Sequence, residues 1–262
     1  MEIVTFAKHV PSSAVTPRIA DAGDRIELDG LSYEVSEADL YALEEAVHQR
    51  SVHGGSVTAV TVGPSKAKDA LYMAYAKGVD HAVHVVDEIF RGTNAPVSIS
   101  AARKIVGKQG FDMIFAGIQA EDDLRGGFGV ALAEVLDIPV ITSVTEIRAD
   151  PQNGRATVIR ELGAGFKEEI EVDLPCALTI QFGIRPLRYV PVMSIVRARS
   201  RKIESTSIEA MMASPDQLQP DGRFRVVRLS YPEHNSRCEM IEGSPDEVAR
   251  TLAGKLTKAG AA

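Results

Sequence analysis

The sequence predicts an α/β fold whose core is a parallel sheet covered by helices on both faces. Two observations carry this. Short β-branched apolar runs alternate with helix-period segments over the first 140 residues, the pattern of successive βαβ units. Beyond that point the spacing changes to period two, with glycine-bearing turns, as in an added antiparallel hairpin.

The elements follow in order. Ile3–Ala7 is a strand. Ser36–Arg50 is a helix, with Ser36 at its N-cap and Asp39 in the first turn to complement the dipole. Val57–Val62 is the next strand. Gly63-Pro64-Ser65 turns the chain into a helix, Ala67–Lys77, which Gly78 ends. Ala82–Val86 is a strand, Pro96–Lys108 a helix, Met113–Ala116 a strand and Phe128–Leu136 an apolar helix.

Val140–Arg148, Ala156–Glu161 and Lys167–Val172 then read as antiparallel strands, with turns at Asp150–Gly154 and Gly163–Gly165. Ala177–Ile180 is a short buried strand. Arg185–Lys202 is basic and poor in helical period, and Ser205–Arg223 reads as an irregular polar linker. A strand, Arg225–Leu229, and a last helix complete the chain. Ser244 caps that helix, Pro245 sits at its first position and Glu247 completes a capping box.

The stretch Phe111–Pro139, FDMIFAGIQAEDDLRGGFGVALAEVLDIP, carries the most chemistry. A buried strand runs into a polar loop, Gly117–Gly127, and then into a helix. That order places backbone N–H groups at a helix N-terminus, where an anion such as a phosphate is stabilised. Ligands of such sheets lie at the carboxyl ends of the strands.

The bulk properties narrow the classes. The formal charge of −7 argues against a nucleic-acid binder. Cys176 and Cys238 lie far apart and lack the spacing of metal ligands, which fits free thiols in a reducing compartment. The chain opens on a strand rather than a signal sequence, and no apolar run approaches bilayer length, so no membrane insertion and a cytoplasmic location are expected.

No nucleophile elbow, zinc-binding His-Glu pair, Walker lysine loop or G-x-G-x-x-G fingerprint is present. His81 and His84 flank one strand without a third ligand, so no metal is expected. Asp122-Asp123 would serve as an acid/base pair, but at a strand end such residues more often shape turns. A phosphate-type loop without a catalytic set points to a binding or carrier subunit.

Four segments carry a resemblance to a known family. They are VTFAKHVP (Val4–Pro11), SEADLYALEEAVHQR (Ser36–Arg50), VTAVTVGPSKAKDALYMAYAKGVDHAVHV (Val57–Val85) and AGIQAEDDLRGGFGVALAEVLDIP (Ala116–Pro139). In order and spacing they resemble the beta subunit of electron transfer flavoproteins, the group that includes FixA. VIRELGAGFKEEIEVDLPCALTI (Val158–Ile180) resembles the family's signature hairpin, keeping Arg160, Glu168 and Pro175 but with Gly163 and Gly165 in a turn that is usually acidic. RYVPVMSIVRARSRKIE (Arg188–Glu204) resembles its recognition loop and basic strand.

The resemblance implies a Rossmann-like parallel sheet of the adenine-nucleotide-binding type, with an added antiparallel hairpin and a C-terminal arm. It divides the chain into a nucleotide-binding domain (1–184), a recognition loop with a basic segment (185–204), and a linker with an arm that packs on the partner (205–262). The partner is an alpha subunit that holds the redox FAD. This subunit holds AMP in a structural role, or FAD in its place in electron-bifurcating members. The dimer accepts electrons from a flavin dehydrogenase and passes them to a quinone oxidoreductase or another acceptor, with no catalysis by this chain.

The implied nucleotide site is made by Phe6, Ser36, Ala38, Asp39 and Val62 around the adenosine, and by Gly117, Gln119, Ala120, Asp122, Arg125, Gly126, Gly127 and Phe128 around the phosphate. Several depart from the family pattern. Phe6 stands for a small residue, Ser36 and Glu37 for Asn-Pro, Val62 for a Cys or other small residue, Gly126 and Gly127 for polar residues, and Phe128 for Thr or Val. The glycines permit close backbone approach to a phosphate. The two phenylalanines would instead fill an adenosine cavity, so an empty site is the alternative.

Partner contacts are expected at Val190, Val192, Met193 and Arg197, and the basic cluster Arg197, Arg199, Arg201 and Lys202 reads as a solvated face or, alternatively, as a surface that steers an acidic partner. Ser13 is expected to line the interface with the alpha subunit's flavin. A reading of another class is a stand-alone adenine-nucleotide sensor of the stress-protein or ATP-pyrophosphatase type. The pyrophosphatase loop is replaced here by Lys8-His9-Val10-Pro11-Ser12-Ser13.

Overall fold

The computed structural model describes residues 1–86, 95–211, 226–232 and 238–260. The strands are β1 (Glu2–Phe6), β2 (His9–Pro11), β3 (Arg18–Ile19), β4 (Ile26–Glu27), β5 (Tyr33–Val35), β6 (Ser56–Gly63), β7 (His81–Val86), β8 (Met113–Gly117), β9 (Val140–Asp150), β10 (Arg155–Gly163), β11 (Phe166–Asp173), β12 (Cys176–Ile180) and β13 (Glu204–Ser207). The helices are α1 (Glu37–His53), α2 (Lys68–Lys77), α3 (Ala95–Gln109), α4 (Phe128–Leu136), α5 (Val192–Ala198), α6 (Ile208–Met211) and α7 (Pro245–Lys258).

The chain divides into two compact units, Met1–Arg18 with Ile26–Arg225, and Ile19–Arg25 with Val226–Ala262. The first holds a nine-stranded sheet in the order β11-β10-β9-β12-β8-β1-β6-β7-β13. From β9 to β13 every pairing is parallel, and β10 and β11 extend the sheet in antiparallel fashion. The mixed sheet with its added hairpin is the Rossmann-like α/β architecture expected.

Alternation along the strands sends side chains to two cores. On β1, Ile3 packs with α1 and α2 residues such as Leu43 and Leu71, while Val4 and Phe6 pack with α3 and α4 residues such as Ala102 and Leu132. Both faces are therefore buried, and the central strands read as continuous apolar runs.

Buried charge fastens the segment after β12. The Glu44 carboxylate, on α1, takes the Lys77 ammonium at 2.9 Å and the Arg188 guanidinium, with both Glu44 and Lys77 side chains only 3% exposed. Burial alone would raise the Glu44 pKa; the hydrogen bonds from Lys77 and Arg188 outweigh it and hold the carboxyl below the ordinary glutamate range. Arg185 donates to Glu45 at 2.9 Å. Arg201 lies over the Tyr75 ring at 4.0 Å and donates to the carbonyls of Val79 and Asp80.

Several expectations need correcting. Ser36 occupies the N-cap position of α1, but its hydroxyl makes no capping bond. The Glu121 carboxylate accepts the Glu37 N–H at 2.6 Å in its place. The basic stretch contains helix α5, because Pro191 fixes its start and Val192–Ala198 contains no glycine or proline. Arg201 is exposed, as expected of a solvated face, and is also a structural clasp through Tyr75 and the Val79 and Asp80 carbonyls. The polar segment expected to be a linker opens as edge strand β13, paired with β7, and as α6; residues 212–225 lie outside the described residues. Of the strand expected at Arg225–Leu229, Arg225 is also outside, and 226–229 form no strand.

The second unit contains α7. Its start is capped by Glu247, which accepts the Ser244 N–H at 2.9 Å, and Pro245 is the first helical residue. Within the same unit Leu229 N–H bonds to the Gly23 carbonyl at 2.7 Å, and Lys255 pairs with Glu239 at 2.7 Å.

Candidate nucleotide site and partner face

Strands β6 and β8 lie on opposite sides of β1. The connections diverge there, and such a switch point opens a crevice at the strand ends. A cavity of about 260 Å³ occupies it. Its apolar wall is Phe6, Val60, Val62, Ile99, Phe128 and Ala131, and its polar rim includes Lys8, Gln119, Asp123 and Arg125.

Asp39 organises this place. One carboxylate oxygen accepts the Lys8 N–H at the end of β1, and the other accepts the Gly117 N–H at the end of β8, each at 2.8 Å. Burial pushes the Asp39 carboxyl up to about 6, although the two N–H groups and the Lys8 charge pull it back. The side chain thus acts across strand ends as well as standing in the first turn of its own helix. Gly117 is obligatory: a Cβ there would lie 2.7 Å from Ala38 and from the Asp39 nitrogen.

The loop after β8 is tied down by charge. The Lys8 ammonium reaches Asp122 at 2.6 Å and Asp123 at 3.1 Å. These groups are partly exposed, so the pairs add little stability of their own and chiefly set loop position. Gly126, at φ +61°, brings the chain close to the Ile118 carbonyl. Gly127 precedes α4, and among the described residues no side chain caps that helix. Its first N–H groups are left for an anion.

Phe6 and Phe128 meet edge to face, with centroids 4.9 Å apart and planes at 66°. They form one wall of the cavity and leave the space beside it open.

Of the site residues read from the sequence, Phe6, Asp39, Val62, Gly117, Gln119, Ala120, Arg125, Gly126, Gly127 and Phe128 line the cavity. Ser36, Ala38 and Asp122 do not. Ser36 is fully buried behind the strand ends, its N–H on the Lys8 carbonyl at 2.9 Å. Ala38 is packed under Gly117, and Asp122 holds Lys8. Sequence reasoning overlooked Lys8, although it lies in the quoted VTFAKHVP, and Ser98 and Ile99 of α3, for which no local motif exists.

Of the residues expected to meet a partner, Val192 and Met193 are 69% and 60% exposed, Arg197 is exposed and Val190 is half-buried. Tyr189 and Val196 are exposed beside them. The four-residue spacing of Val192 and Val196 becomes informative only once the segment is a helix. Ser13 is exposed, its N–H on Glu34 at 3.2 Å. Among the described residues no three His, Cys, Asp or Glu side chains cluster as a metal site would need, and no helix is long and apolar enough to cross a membrane.

Residues 26–211 match the family model described as the electron transfer flavoprotein domain. The chain is 31% identical over 254 residues to the electron transfer flavoprotein subunit beta of Methylophilus methylotrophus, covering 96% of each. It is 30% identical to the same subunit of Bacillus subtilis, over 88% of this chain and 89% of that one. It is also 30% identical to protein FixA of Sinorhizobium fredii, over 98% and 93%. With the strand-end cavity and the hairpin in place, these matches show that the chain belongs to the electron transfer flavoprotein beta-subunit family, alongside FixA.

Proposed function

We propose that this chain is the beta subunit of a cytoplasmic heterodimeric electron transfer flavoprotein that holds AMP in the strand-end cavity. Its alpha partner carries the redox FAD. The dimer takes electrons from a flavin dehydrogenase and delivers them to a quinone oxidoreductase or a comparable acceptor. FAD supplies the redox chemistry when bound; this chain's residues hold and orient.

The observation that carries the reading is the pairing of an apolar wall with an uncapped helix start in one cavity. The phosphate would sit at the N-terminus of α4 beside the Gly126-Gly127 backbone. Arg125 supplies positive charge at the rim, where the Lys8 ammonium is already engaged by Asp122 and Asp123. The adenosine would lie against Phe6 and Val62. The cavity volume, about 260 Å³, lies near the lower end of the roughly 300–1,000 Å³ usual for small-molecule pockets. The exposed ridge of Val192, Met193 and Val196 would meet the dehydrogenase, with Arg197 at its edge. Ser13 would line the flavin interface.

The test is to co-express the chain with its alpha subunit, purify the dimer, denature it and count nucleotides. One FAD and one AMP per dimer is expected. Two flavins would replace this reading with the bifurcating one, and one flavin with no AMP would overturn the pocket assignment.

A further inference from the structure

We infer that the Phe6–Phe128 pair is the specificity determinant of the cavity, admitting a nucleoside monophosphate and excluding a dinucleotide. The inference rests on the adenine-nucleotide reading above and adds the residues that choose the ligand. Phe128 is the first residue of α4, so its ring begins where an anion would meet the helix start. Phe6 is the last residue of β1, the strand at the switch point. Their rings meet at 4.9 Å, and both line the cavity. The wall between strand end and helix start is therefore hydrocarbon.

A monophosphate needs a single anionic position at the helix start. A dinucleotide must carry a second phosphate onward from that position. A second phosphate pressed against the Phe128 ring, which Phe6 braces edge to face from the adenosine side, loses its hydration without gaining a hydrogen bond, a cost that disfavours the longer ligand. Phe6 is 5% exposed and held between Val4, Val60 and the α3–α4 core, so its ring has little room to swing aside.

The experiment uses the co-expressed heterodimer as wild type, Phe128→Val and Phe128→Trp. Each is incubated with equal AMP and FAD, desalted, denatured and quantified by chromatography, counting FAD beyond the one held by the alpha subunit. Wild type is expected to retain AMP. Phe128→Val should shift the retained FAD-to-AMP ratio by at least about tenfold, roughly 1.4 kcal/mol of selectivity. Phe128→Trp should lower AMP retention without admitting FAD. AMP in the wild type with an unchanged ratio in both variants would overturn the inference and leave the AMP reading intact. A second FAD already in the wild type would overturn it too. No nucleotide in any of the three dimers would instead remove the adenine reading on which it stands.

Discussion

The carboxylate of Asp39 accepts the backbone N–H of Gly117 at 2.8 Å, joining the first turn of α1 to the end of β8. Its other oxygen accepts the Lys8 N–H, so one side chain spans the crevice between two parallel strands. The bond is possible only because residue 117 has no Cβ; the backbones approach too closely for any other residue.

Asp39 makes stability depend on pH in an unusual direction. Its carboxyl is raised from 3.8 to about 6 in the folded state, so the folded chain binds more protons than the unfolded one between those values. Its contribution therefore declines as pH rises through that window, by on the order of 3 kcal/mol, and is flat above about 6. Glu44 is shifted the other way, and its contribution is lost as pH falls. The difference in unfolding midpoint between wild type and Asp39→Asn, measured from pH 4 to 7, isolates the first effect. A pH-independent difference would contradict the assignment.

Glu44→Gln should be strongly destabilising. It leaves the Lys77 ammonium, 3% exposed, without its counter-charge. Breaking such a pair costs about 3–5 kcal/mol. Denaturant unfolding of Glu44→Gln, Lys77→Met and the double variant should show the double recovering much of the loss, as expected for coupled neighbours.

Two glycines of the cavity loop should respond differently to alanine. Gly117→Ala drives a methyl to within 2.7 Å of α1 backbone and should cost about 1–3 kcal/mol and weaken nucleotide retention. Gly127→Ala meets nothing nearer than 4.0 Å and should stay within about 0.5 kcal/mol of wild type. Thermal melts of the two variants decide this.

The thiols should separate by access. Cys176 is fully buried, and burial pushes its pKa up to about 12, while Cys238 is exposed. A thiol reagent at neutral pH should label Cys238 in the native protein and reach Cys176 only on unfolding. Rapid labelling of both under native conditions would show that β12 opens readily.

Val192→Glu should leave the melting temperature unchanged, because Val192 is 69% exposed, and should weaken dehydrogenase docking. Electron-transfer kinetics at varied dehydrogenase concentration would show the change as reduced apparent affinity.

Local signals made most of the sheet legible. β-branched runs located β6 and β7, a short apolar run located β8, and Gly78, at φ +105°, ended α2 as its position predicted. The loop from Gly117 to Phe128 was readable because strand, glycines and helix are contiguous. What could not be read depends on partners far away in the chain. Glu121 displaces Ser36 as the cap of α1 across 84 residues. Arg185 and Arg188 look like solvated charge until Glu45 and Glu44, about 140 residues earlier, are seen to receive them. The residues of α3 that face the cavity carry no motif, since only the sheet order brings them there.

The hairpin of β10 and β11 has a consequence for solubility. The outermost strand, β11, presents Lys167, Glu168, Glu169 and Glu171 along an open edge, with Arg148, Arg155 and Arg160 answering the glutamates from within the sheet. A second sheet approaching that edge would have to bring its backbone against this charge. The charge that the hairpin carries thereby keeps this edge strand from recruiting copies of the same chain.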